Sequence, residues 1–136
     1  MSIKKYLEYS KYLDVVEGYE DLGHKERKDK LASQALVFIA RGLYSKWKLP
    51  LAYFLSASST RGLELKNLIN DIALEIGLIV TAVICDQGSN NCAALKQLGC
   101  NKESPYFEVN GKRIFSILDI PHIFKNYRNN LLKNNL

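Results

Sequence analysis

The sequence predicts an α/β fold, a mixed sheet of antiparallel strands plus a parallel central strand, flanked by helices, and three stretches predict it. The first is Gly77 to Gly99, GLIVTAVICDQGSNNCAALKQLG. Its Leu78 to Cys85 run is almost entirely apolar, rich in Ile and Val and preceded by glycine, which is the pattern of a buried central strand. The chain turns polar at Asp86, then follows a helical pattern through Ala93, Ala94, Leu95 and Leu98, and stops at Gly99. The second stretch is the run before it, where Leu65, Leu68, Ile69, Ile72, Ala73 and Ile76 recur at helical spacing. A strand, a covering helix and a further strand make a crossover, so the central strand should lie parallel to another. The third is Asn110-Gly111 between two apolar runs, a strong hairpin signal.

In chain order, Met1 to Asp21 fits either a hairpin or a short helix, since Ile3, Leu7, Leu13, Val15 and Val16 alternate irregularly with charges. His24 to Lys30, HKERKDK, is a charge run that reads as a solvated loop. Leu31 to Tyr44 predicts a strand with Ala35 to Ala40 buried. Leu49-Pro50 reads as a turn, and Leu51 to Leu55 as the antiparallel return strand. Ser56 to Thr60 is a polar connector that ends in good N-cap residues for the helix that follows, which Gly77 closes. After Gly99, Tyr106 to Val109 and Lys112 to Leu118 form the Asn110-Gly111 hairpin, Asp119 ends its second strand, and Pro121 sits in the first turn of a helix. Ile123, Phe124, Tyr127 and Leu131 are that helix's apolar stripe, and His122, Lys125, Arg128 and Lys133 its basic groups.

With 136 residues, a single domain spanning 1–136 is expected. An apolar fraction of 47% and a charged fraction of 24% are those of an ordinary globular chain. The net charge of +5 permits a nucleic-acid partner without requiring one. The three cysteines, Cys85, Cys92 and Cys100, are odd in number and one lies in the apolar run, which argues against a disulfide framework. No histidine is near enough to suggest a zinc site. The amino terminus lacks the apolar core of a signal peptide, and no apolar run reaches bilayer length.

Two acidic residues stand at strand ends, Asp86 and Asp119, and such neighbours can share Mg²⁺, which prefers oxygen ligands. Each also reads as a helix cap. Asn90 and Asn91 read as caps rather than ligands. His122 is either a base or ligand, or a polar residue at a helix start. Lys125 and Arg128 lie one turn apart and could bind phosphate or simply face solvent. There is no Gly-rich phosphate loop, nucleophile elbow or Cys-His pair.

Three runs in order carry a resemblance: VFIARGLYSKWKLPLAYF at Val37 to Phe54, VICDQGSNN at Val83 to Asn91, and YFEVNGKRIFSILDIPHIFKNYRNNL at Tyr106 to Leu131. They resemble the P-element family of DNA transposases, whose domesticated relatives carry a THAP zinc finger. The resemblance spans Met1 to about Leu131. It implies a ribonuclease-H-like core of the DDE type, in which three acids and two Mg²⁺ ions cut and join DNA. It also implies a nuclear protein, with a GTP-binding insertion after the helix matching Pro121 to Leu132.

By this resemblance Asp86 is the second catalytic acid and a metal ligand. The first acid belongs to an Asp-Glu-Met run that continues here as Met1-Ser2-Ile3, and the last Glu lies past the insertion. The resemblance therefore implies an incomplete core, with one of three catalytic acids, that is inactive on its own. GTP would then have no binding site in this chain. The implied partners are DNA, a second copy of the chain, or a full-length transposase. Two functional readings follow: a partial transposase core, or a domesticated DNA- or protein-binding module that keeps the fold. An unrelated nucleotide-binding domain is disfavoured by the missing phosphate loop.

Overall fold

The computed structural model describes residues 1–23 and 27–133, which divide into two compact units, Met1–Thr60 and Arg61–Leu136. The amino-terminal unit is built of strands. β1 (Glu8–Ser10) and β2 (Val15–Glu17) form an antiparallel hairpin, so the ambiguous first segment is a hairpin and not a helix. Gly18 follows at φ +109, and β3 (Tyr19–Glu20) pairs with β4 (Lys28–Leu31). Part of the charge run expected as a loop is thus the exposed strand β4, while His24–Glu26 lies outside the described residues. Pairing with β3 is what organises Lys28–Lys30, and a charge pattern alone does not reveal a partner strand.

Glu20 fastens this unit together. It accepts a hydrogen bond from the Ala57 amide at 2.9 Å and pairs with Lys28 Nζ at 2.9 Å. The Ala57 amide, and after it Lys28, hold its carboxyl below the ordinary glutamate range.

β5 (Gln34–Arg41) and β6 (Lys48–Ser56) form the long hairpin, from Gln34 opposite Ser56 to Arg41 opposite Lys48. Leu49 and Pro50 are inside β6 rather than in the turn. The register shifts at Phe38/Ile39, beside the Ile39–Pro50 pair, and such an irregularity tolerates proline's missing N–H. The expected continuous burial from Ala35 to Ala40 is not found. Ala35 is buried, but Val37 and Ile39 are exposed and Leu36, Phe38 and Ala40 only half-buried, so full burial is confined to the start of the strand. Met1 lies along β5, exchanging backbone hydrogen bonds with Ala35 at 2.9 and 2.8 Å.

In the second unit, α1 (Gly62–Glu75) packs on α2 (Ser89–Gln97). Gly62, Leu65, Leu68 and Ile69 form the buried face of α1, part of the periodicity seen in the sequence. The helix begins after Arg61, which gives no side-chain cap, so the polar connector does not cap it. The close approach to α2 fixes this start instead: a Cβ on Gly62 would lie 2.8 Å from the Ala93 Cβ. Gly77 (φ +68) and Gly99 (φ +98) stand just past the ends of α1 and α2, the left-handed position that favours glycine.

The sheet of this unit has three strands, β7 (Ala82–Cys85), β8 (Tyr106–Val109) and β9 (Lys112–Leu118), in the order β7-β9-β8. The β8–β9 hairpin turns through Asn110 (φ 50) and Gly111 (φ +71), both left-handed as a type I′ turn requires. β7 is parallel, as predicted, but its partner is β9 and it lies at the edge of this sheet. The central strand is β9. Only four of the eight residues from Leu78 to Cys85 are in β7, and Ile84 is 66% exposed. An edge strand leaves one side and part of its face open, so apolarity here marks surface as well as core. α3 (Ile120–Lys133) completes the chain's described part, and none of its residues is buried.

Candidate functional site

Parallel pairing puts Cys85 opposite Leu118, so the residues that follow them, Asp86 and Asp119, leave neighbouring strands at the same end. The Asp119 amide donates to the Cys85 carbonyl at 2.8 Å, which locks the two strand tips side by side. Neighbouring strands run about 5 Å apart, and this sets the spacing of the two backbones.

Asp86 is exposed, and its Oδ1 accepts two hydrogen bonds: one from the Gly88 amide at 2.8 Å and one from Asn91 Nδ2 at 2.6 Å. The first is an Asx turn across Asp86-Gln87-Gly88, and the second ties that turn to the first turn of α2. The N-cap position belongs to Gly88, so Asp86 is not the cap of α2, and Asn91 serves Asp86 rather than the helix. Gln87 Oε1 accepts from Asn126 Nδ2 at 3.5 Å, linking this loop to α3.

Asp119 does stand at the start of α3, where its carbonyl takes the Ile123 amide at 3.1 Å. Its carboxylate lies 3.7 Å from His122 Nε2. Lys125 and Arg128 are both exposed on α3. With Pro121, Phe124, Tyr127 and Leu131 they line an open hollow of about 650 Å³. Arg128 donates to Asn129 Oδ1 at 3.2 Å. Sequence reasoning missed the Asn91 and Asn126 contacts. The Asp-x-Gly spacing at 86–88 is the local signal for the turn, but nothing local marks its partners.

The thiol of Cys85, just before Asp86, is pushed up to about 11 by burial, with the Asp86 charge adding to it. Near neutral pH it is a packed thiol and not a nucleophile. Among the described residues no group of three or more His, Cys, Asp or Glu side chains is arranged to hold a metal ion. Two neighbouring carboxylates, one of them already hydrogen-bonded, do not fit a pair of divalent ions without further ligands.

The geometry separates structural from chemical roles for Asp86. Asp86→Ala should cost about 1 kcal/mol, the loss of exposed hydrogen bonds, and Asp86→Asn less, because its carbonyl can still accept from Gly88. Urea denaturation of both variants measures this. A loss several times larger would make Asp86 a folding residue first.

A mixed α/β domain with acidic residues gathered at the carboxyl ends of parallel strands is the class this arrangement defines. Comparison with known proteins makes it particular: the chain belongs to the family of TNP-like, RNase H N-terminal domains, whose model matches residues 1–99. Its fold is similar to that of the Drosophila P element transposase in a strand transfer complex, with a TM-score of 0.69 and 23% identity. That likeness covers 95% of this chain and 27% of the other, so this chain spans a minor part of the transposase's length. No curated protein matches it. Among the described residues no helix is long and apolar enough to cross a membrane.

Proposed function

We propose that this chain is a piece of the catalytic domain of a P-element-type transposase and that Asp86 is one acid of a DDE set acting on DNA with Mg²⁺. The observation that carries the reading is the placement of Asp86 at the end of a strand paired in parallel with β9, fixed by Gly88 and Asn91. In enzymes of this class divalent ions stabilise the attacking and leaving oxygens of phosphodiester transfer. Among the described residues no three-ligand group completes such a site, so Asp86 would need ligands from other parts of the enzyme to hold the ions. The chain's own contribution is to hold one carboxylate rigidly at the sheet's end.

The chain by itself should therefore neither nick nor join DNA. DNA and a second transposase chain are its partners in this reading, the nucleus its site of action, and GTP a ligand of other parts of the enzyme. Incubation of the purified chain with supercoiled plasmid and labelled duplex, in Mg²⁺ or Mn²⁺, tests it. The expected result is no cleavage above the level of an Asp86→Asn control. Robust Asp86-dependent cleavage would refute it. A domesticated binding module that keeps the fold is the second reading. Restoring strand transfer by adding the remaining core segments of a relative in trans would exclude that module.

A further inference from the structure

We propose that the tip of the β5–β6 hairpin is a nucleic-acid contact, in which Arg41, Lys46 and Lys48 hold phosphates and Tyr44 lies against a base. This rests on the reading of the chain as a DNA-acting domain but assigns a surface far in sequence from Asp86. Three observations carry it. No Asp or Glu occurs between Asp29 and Glu64, so the hairpin has cations and no internal countercharge. Arg41 and Lys48 are direct cross-strand partners, which places two like charges opposite each other. That arrangement disfavours the hairpin unless an anion meets it. Among the described residues none of Arg41, Lys46 and Lys48 forms an ion pair.

The aromatic groups at the tip are arranged differently from each other. Trp47 turns back on the loop, its indole occupying the space a Cβ on Gly42 would need, and the Gly42 amide donates to the Trp47 carbonyl at 3.2 Å. Tyr44 is fully exposed and supports nothing. An exposed ring beside cations suits stacking on bases, which is tolerant of sequence. The other hairpins lack this pattern. Glu8, Asp14 and Glu17 lie in or beside the β1–β2 hairpin, and Arg113 of the β8–β9 hairpin is paired with Glu108 at 3.5 Å. The bland role of exposed lysines, protecting strand edges from aggregation, does not account for an exposed tyrosine among them.

The test is fluorescence anisotropy of labelled duplex and single-stranded DNA with the whole chain over a salt series. Arg41→Gln/Lys46→Gln/Lys48→Gln should weaken duplex binding about tenfold or more and make the slope of log K against log salt shallower by about 3. Lys46→Arg/Lys48→Arg keeps both charges and should bind duplex with the affinity and salt slope of the wild type. Tyr44→Ala should weaken single-strand binding about tenfold with the salt slope unchanged. Circular dichroism melts check that each variant folds; if the triple variant unfolds, the Tyr44→Ala result decides. DNA binding with unchanged affinity and slope in the variants overturns the hairpin contact alone. No DNA binding by the wild type overturns both this and the broader reading. Binding to anionic phospholipid vesicles in place of DNA would show the tip to be a membrane contact, and also overturns it.

Discussion

Gly18→Ala is expected to cost the chain about 3 to 5 kcal/mol, combining backbone strain with a steric clash. Gly18 has φ +109, where a side chain is strained whatever the space around it. There is also no space: an added Cβ would lie 2.0 Å from the Tyr6 carbonyl oxygen. That oxygen belongs to the backbone and cannot rotate away. Gly18 also accepts the Ala32 amide at 2.8 Å, so moving it disturbs the link from the first hairpin to the start of β5. Gly77→Ala is the control, since Gly77 has φ +68 with nothing within 4 Å of the added carbon. It should cost about 1 kcal/mol, the strain alone. Urea denaturation followed by circular dichroism measures both. Equal losses at the two glycines would show that the Tyr6 contact is not what makes Gly18 necessary.

Leu68→Ala should lose about 3 kcal/mol, within the range for a truncated core leucine. Leu68 is 2% exposed and is the largest fully buried side chain described. It sits on the buried face of α1, the helix that packs on α2, and α2 supplies the Asn91 that holds Asp86. The loss should therefore reach the candidate site: amides of Gly88 and Asn91 should exchange faster in the variant. Leu63→Ala, at 59% exposure on the same helix, should change stability by less than about 0.5 kcal/mol. Similar losses for the two leucines would mean that α1 is not oriented as described.

Much of this was legible in local pattern. The β8–β9 hairpin was read to the residue because Asn110-Gly111 requires two left-handed conformations that few other pairs adopt. α1 was legible because its apolar residues repeat at helical spacing and Gly77 closes it. Position in the sheet was not. Leu78 to Cys85 has the composition of a central strand, yet β7 is short and at an edge, because strand neighbours are set by distant segments and composition is local. The start of α1 was misplaced for a similar reason: the packing of Gly62 on α2 outweighs the polar residues before it. At the site, the sequence located Asp86 and Asp119 at strand ends, but only the parallel register shows that these ends coincide.

That shared end has an electrostatic consequence. Two carboxylates issue together there, with the His122 imidazole 3.7 Å from Asp119. A phosphodiester strand brought to the same place would meet repulsion of about 1 kcal/mol per charge even through water at close range, and more where water is excluded. Positive charge interposed between them removes that repulsion. Under the proposed function, the field at this end therefore couples the arrival of substrate to the arrival of its counter-cations, before any bond is broken.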